Sequence, residues 1–326
     1  MSMFDLFSKS TKRPDNLSQD QAAIRMVAEK LEGTWRALSN GVSVETKRAG
    51  VPMRVEIRRL DENYIAASAW LHSLTLPDDD RICVMLAFYM QTINSNMPSG
   101  RLLWNRDGEF GYSSLVVFDD SDPEYALSHA VDYNLGQLVA FGPGLLEVRD
   151  GVSPDVVSFT TLTQRWKGAE HEPVTQVSPE CRFLERYAHG LNTPYELIPG
   201  GIVLLPGNFR VELSADAGGQ FSIRATCLGY RIPLKLQSDA FFYATLANSN
   251  GAFSTIYLSL SDYLRVASRF DLYLRPGRTP SDRLLSTCWL GTMRDAACHA
   301  KGIKMVESGE DCTSALAKAL SLRKAM

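Results

Sequence analysis

No run of apolar residues in this 326-residue chain approaches the roughly 20 that a membrane-spanning helix needs, and its start shows no signal-peptide pattern. Stable membrane insertion is therefore not expected. The six cysteines (Cys83, Cys181, Cys227, Cys288, Cys298, Cys312) form no CxxC pair, so neither a redox dithiol nor a zinc knuckle is indicated. Most sit among apolar or helical residues, as buried free thiols do, which points to a reduced, cytoplasmic protein. Clustered Lys and Arg are also missing. With a net charge of -3 and only the short Lys9, Lys12, Arg13 group near the N-terminus, the surface has no stripe for tracking phosphates, and nucleic acid is disfavoured.

The motifs of common catalytic sites are absent as well. There is no HExxH, GxxxxGK[ST], GxSxG or strand-following GxGxxG. The five histidines (His72, His129, His171, His189, His299) show no metal-ligand spacing. Cys298 and His299 are neighbours on a helical pattern, so they point about 100° apart and do not face each other as nucleophile and base. Glu170-His171-Glu172 reads as a solvated loop. Asp78-Asp79-Asp80 and Asp119, Asp120, Asp122 stand where helices begin, and capping accounts for them. No catalytic residue, metal or cofactor is expected.

What is present is a pattern of elements. Ser18 with Gln21 forms a capping box, and Ile24, Val27, Ala28, Leu31, Trp35 and Leu38 follow at helical spacing up to Asn40-Gly41. Strands are expected at Val42–Lys47, around Met53–Ile57 and at Tyr64–Leu71, then a helix over Ile82–Ile93. The hairpin Arg101–Asn105 and Phe110–Phe118 turns at Asp107-Gly108. Asp122-Pro123 opens a helix that fades at Gly142-Pro143-Gly144. Residues 152–177 read as a connector holding one strand, Val156–Leu162. Ser178-Pro179-Glu180 begins a second pass: a helix, strands at Gly201–Leu205, Phe209–Ser214 and Phe221–Leu228 (the last two turning at Gly218-Gly219), a short helix to Leu246, a hairpin over Phe253–Leu274 that turns at Ser261-Asp262-Tyr263, and the helix Asp282–Ala300 ended by Gly302. Asp311–Lys324 is a further short helix.

The expected fold class is therefore α+β, with an α-βββ-α-ββ-α unit occurring twice, each a twisted antiparallel sheet packed with helices. Letters support the count. Phe88-Tyr89 and Asn94-Ser95-Asn96 recur as Phe242-Tyr243 and Asn248-Ser249-Asn250, an offset of 154 (248 − 94). The domain reading is a flexible segment over 1–17, a first unit over 18–151, the connector over 152–177, a second unit over 178–302 and a tail over 303–326.

The hairpin strands carry more apolar groups than one sheet face requires: Leu103 and Trp104 in the first unit, Ile256 and Tyr257 in the second. These four are the candidate partner-binding residues, the alternative being core covered by the chain itself. Trp35 and Trp289 lie on helical apolar stripes and read as core.

The element order, with the "MPSGRLLWNRDGEFGYSSLVVF" hairpin and the long apolar helix after it, resembles YbjN-like and type III secretion chaperone-like domains over about 18–151, and more weakly over 178–302. The resemblance implies a sheet-and-helix module with no enzyme activity that binds a protein partner or client segment. The chain departs from that family in carrying two unequal copies, and these are expected to pair within one chain as a pseudo-dimer, through Ile82–Ile93, Phe241–Leu246 and the adjoining hairpins, which allows a monomer in solution. The function expected is a chaperone-like or adaptor-like binding module. Two alternatives stand beside it: a small-molecule sensor or enzyme with a pocket between the copies, and a structural component of a larger assembly.

Overall fold

The structure, a computed structural model, describes residues 19–61, 63–117, 122–166, 182–191, 193–198, 200–215, 220–250, 252–260, 263–275 and 277–325. Ser18, the segment 1–17, Asp119, Asp120, Glu170-His171-Glu172, Ser178-Pro179-Glu180, Cys181, Gly218-Gly219 and Ser261-Asp262 lie outside them.

The first unit runs α1 (Gln19–Lys30), β1 (Gly33–Leu38), β2 (Gly41–Arg48), β3 (Val51–Arg59), β4 (Tyr64–Thr75), α2 (Asp80–Asn96), β5 (Arg101–Trp104), β6 (Glu109–Val117), α3 (Pro123–Arg149) and α4 (Pro154–Trp166). The second runs α5 (Arg182–Gly190), β7 (Tyr195–Ile198), β8 (Gly201–Leu204), β9 (Phe209–Ala215), β10 (Gln220–Cys227), α6 (Gln237–Ser249), β11 (Thr255–Leu260), β12 (Leu264–Tyr273), α7 (Asp282–Glu307) and α8 (Cys312–Ala325). Each builds one six-stranded antiparallel sheet, in the orders β1-β2-β3-β4-β6-β5 and β7-β8-β9-β10-β12-β11. The two orders are the same, so the protein is α+β with two matching sheet-plus-helix units. Each unit holds one strand more than the α-βββ-α-ββ-α pattern.

The extra strands come from β1 and β7. In the first unit α1 stops at Lys30, and Trp35 lies on a strand, 51% exposed, instead of on a buried helical stripe. Asn40-Gly41 is the turn of the β1–β2 hairpin, not the end of a helix. A Cβ on Gly41 would fall 1.9 Å from the Ile57 carbonyl oxygen, and one on Gly201 would fall 2.0 Å from that of Leu213. Both hairpins therefore need glycine where the next strand passes.

The expected connector is also different. Val156–Leu162 is part of helix α4, packed on α2 and α3, as α8 is packed on α6 and α7. Gly151 (φ 96°) ends α3 and Gly309 (φ 97°) ends α7, so the connector and the tail are the same piece of the unit, 158 residues apart (309 − 151). Two other glycine readings change. α3 runs through Gly142-Pro143-Gly144 and α7 through Gly302. A Cβ at Gly144 would meet the Tyr89 hydroxyl at 2.2 Å, and one at Gly302 would meet the Tyr243 hydroxyl at 1.9 Å. These glycines seat a repeated tyrosine; they do not stop a helix. The fully buried Phe141, Leu145 and Val148 hold α3 together across Pro143.

Two apolar cores follow, one per unit. α1, α2 and α3 cover Val44, Val55, Ile65 and Phe110, while α6 and α7 cover Val211, Ile223, Ile256 and Val266. Trp289 packs against the second core, half-buried.

Candidate functional site

The repeated Asn-Ser-Asn letters turn out to be edge fittings. From the last turn of α2, the Asn94 side chain donates to the Leu102 carbonyl (3.0 Å) and accepts from the Leu102 N–H (2.7 Å). Asn248 makes the same pair of bonds to Ile256, both at 2.8 Å. Each amide thus mimics a neighbouring strand and closes the inner sheet edge, β5 or β11, which would otherwise present unpaired backbone groups.

Those closed edges meet each other. α2 packs on α6, β11 lies against α2, and β5 lies against α6. Gln91 and Thr245, equivalent residues at the 154 offset, bond to each other at 3.0 Å, which puts them on the local two-fold axis. Arg101 donates to the Ser254 carbonyl at 3.0 Å, and Thr255 donates to that of Gly100 at 3.2 Å. Position 101 contacts 254 and position 255 contacts 100, the reciprocity of an isologous interface, here inside one chain. The helices and hairpins expected to pair the copies are those that do.

Leu103, Trp104, Ile256 and Tyr257 belong to this junction and its cores. Ile256 is fully buried under its own helices, and the other three are at most 6% exposed. Trp104 sits edge-on to Phe110 and 6.2 Å from the Phe242 ring of the other unit. Their surplus apolar surface is covered by the chain itself, so none of the four is open to a second polypeptide.

A buried polar seam runs beside them. Arg269, 1% exposed on β12, donates to the carbonyls of Asn94 (2.9 Å), Met97 and Gly100, which terminate α2 and lead into β5. It is a C-terminal cap supplied by the other unit, and its charge suits the negative end of the helix. Asp271 accepts from the Gly100 N–H (3.1 Å), the Ser222 hydroxyl (3.1 Å) and the Arg269 Nε (3.2 Å). Burial opposes the charge on Arg269, but Asp271 and the tyrosines Tyr112 and Tyr257 outweigh it and hold the guanidinium above its ordinary range. Burial pushes the Asp271 carboxyl up, against Arg269, Arg224 and the Gly100 N–H. Arg101 is pulled down to about 10 by burial, which Asp295 opposes. At the position equivalent to Gly100, Ser254 gives its N–H (2.8 Å) and hydroxyl (2.7 Å) to the buried Asp295, which also pairs with Arg323 of α8 at 2.6 Å. Tyr273 donates to Ser114 at 3.0 Å and is bonded to Ser99.

The room left at the junction is small. The cavity lined by Arg101, Ser114, Arg269, Asp271 and Tyr273 has about 20 Å³, enough for one water and for no larger ligand. The seam fixes two loops. No protein-family model matches the chain, and no curated protein matches it.

Elsewhere the described histidines have local partners: His72 with Glu45, His129 with the Tyr125 and Tyr273 rings, His189 with Tyr195, and buried His299 with the Tyr243 hydroxyl at 3.1 Å. The Cys298 thiol is pushed up by burial, which leaves it a poor nucleophile. Among the described residues no group of three or more His, Cys, Asp or Glu is placed to hold a metal, and no helix is long and apolar enough to cross a membrane. The sequence reading missed Arg269 and Asp271. The available signal was two opposite charges, Arg269 and Asp271, set two residues apart in the middle of the largely apolar strand Leu264–Leu274.

Proposed function

We propose that this chain is a polypeptide-binding protein, chaperone-like or adaptor-like and not catalytic, that takes an extended partner segment by strand addition at β1. One observation carries the reading. Gly33 to Ala37 are all exposed, the strand pairs only with β2 among the described residues, and Trp35 stands half open beside the unpaired edge. Unpaired strand backbone supplies main-chain bonds to an incoming strand, and an exposed indole supplies a large apolar anchor. β7 is the equivalent outer edge of the second sheet and is partly covered. The resemblance to YbjN-like and secretion chaperone-like domains supports the same reading. The inner edges β5 and β11 serve the internal pairing, so β1 and β7 are the edges left for a partner.

A photo-crosslinking side chain at Arg36, compared with one at Lys318 on α8, tests this in cells that make the protein. The expected result is a discrete polypeptide adduct at 36, absent at 318 and weakened by Trp35→Ala. Identical adducts at both positions, or none at 36, would count against it.

A further inference from the structure

The turn end of the second sheet carries a different surface. Leu234 (77% exposed) and Leu260 (76%) stand out with Leu228 and Tyr263, all exposed. They are placed together by the backbone. The Ile232 N–H bonds to the Leu264 carbonyl at 2.9 Å, Arg265 donates to the Leu228 carbonyl, and the Arg231 guanidinium lies 3.7 Å from the centre of the Tyr263 ring. The segments 228–237 and 260–265 contain Arg231, Lys235 and Arg265 against the single acid Asp262, in a chain whose net charge is -3.

The first unit shows that the fold does not require this. In strand register the pair Trp104–Phe110 matches Leu258–Val266, so Arg265 stands where Glu109 does, and the second hairpin is two residues longer, with Leu260 and Leu264 as its added pair. In the first unit the turn is closed by polar groups: Arg54 bonds Glu109, and the Asn105 side chain accepts from the N–H groups of Asp107 and Glu109, both at 2.9 Å. The corresponding hairpin end is thus closed by polar groups in one unit and is longer, with an exposed leucine at its tip, in the other.

We infer that this leucine-rich, basic-rimmed end is a second docking surface, and that its occupant is an acid-flanked apolar segment of a partner polypeptide. The leucines and Tyr263 take the apolar anchors, and Arg231, Lys235 and Arg265 meet the flanking carboxylates. Two copies of the chain meeting end to end through this surface would bring like charges together, which argues against self-association. The inference is independent of strand addition at β1, since it shares no residue with that edge.

A random 12-residue phage-displayed peptide library, selected on the full-length protein and on the Leu234→Ser/Leu260→Ser variant, tests it. The expected peptides pair Asp or Glu with Leu or Phe and bind at least tenfold more weakly to the variant. The best of them should lose affinity in Arg231→Gln/Lys235→Gln and at higher salt, and should still bind Trp35→Ala. Unchanged melting temperatures would establish that the variants are folded. The inference is overturned by peptides that bind wild type and the leucine variant alike, by basic peptides, or by no enrichment at all. It is equally overturned if the leucines instead govern self-association in sedimentation or binding to phosphatidylserine vesicles.

Discussion

His299 gives the sharpest test of the second core. Its ring is fully buried on α7, its Nδ1 meets the Tyr243 hydroxyl of α6, and its Nε2 has no protein partner. Burial pulls its pKa from 6.5 down to about 4; Asp295 opposes that shift and Arg323 of α8 adds to it. The folded protein therefore refuses a proton that the unfolded chain accepts. Stability is complete above the unfolded value of 6.5 and is lost as pH falls from there toward 4. At about 1.36 kcal/mol per pH unit, the whole fall is worth about 3 kcal/mol, most of it lost by pH 4.5. Urea unfolding at pH 7.0, 6.0, 5.0 and 4.5, on wild type and on His299→Leu, isolates this contribution, because every other titrating group is common to both proteins. The variant is expected to start less stable, with Tyr243 losing its partner, and then to fall less steeply, the two curves converging by about 2 kcal/mol over this range. Parallel curves would refute the placement of a neutral, buried imidazole here.

Gly302→Ala should cost about 1–3 kcal/mol by overpacking, because its Cβ would lie 1.9 Å from the Tyr243 hydroxyl. Adding Tyr243→Phe should recover part of that loss in a double-mutant cycle, and additive costs would rule the contact out. Arg269→Met should cost about 3–5 kcal/mol in denaturant unfolding, since it strands the buried Asp271 and three loop carbonyls. Trp35→Ala should change stability by no more than about 0.5 kcal/mol, because the side chain is half exposed on an edge strand. A larger loss there would make Trp35 structural and remove the anchor at β1.

The amphipathic helices and the Asp107-Gly108 hairpin were legible in the sequence because each is written locally, in spacing and turn residues. The errors arose where a local signal had two readings. Asn40-Gly41 suits both a helix end and a hairpin turn, and Ile24 to Leu38 continues a helical period through residues that the sheet recruits as β1. Gly144 and Gly302 look like helix breakers, yet each answers a tyrosine far earlier in the chain, by 55 residues (144 − 89) and 59 residues (302 − 243), a tertiary fact that no window holds. The candidate hairpin residues were singled out for too much apolar surface and offered to a partner, but the chain itself buries them. Phe242 of the other unit packs against Trp104, while Ile256 lies under the helices of its own unit.

The junction also predicts how the units choose partners when the chain is cut between them. A first unit alone would expose the α2 face and the β5 edge. Pairing with its own copy would put Ser113 and Leu115, which match Arg269 and Asp271 in strand register, at these loops, so the Asn94, Met97 and Gly100 carbonyls would lose their cap. Two second units would bring two Arg269 side chains to loops that already have Asp295 on the Ser254 N–H. Only the mixed pair satisfies both loops, and each buried polar group left without a partner costs about 1–3 kcal/mol. Residues 1–172 and 173–326, made separately and mixed, should therefore form a 1:1 complex in preference to either homodimer, as read by native mass spectrometry. Arg269→Met in the second fragment should erode that preference. Equal amounts of homodimer and mixed pair from the unmodified fragments would show that apolar packing of α2 on α6 sets the pairing and that the seam is incidental to it.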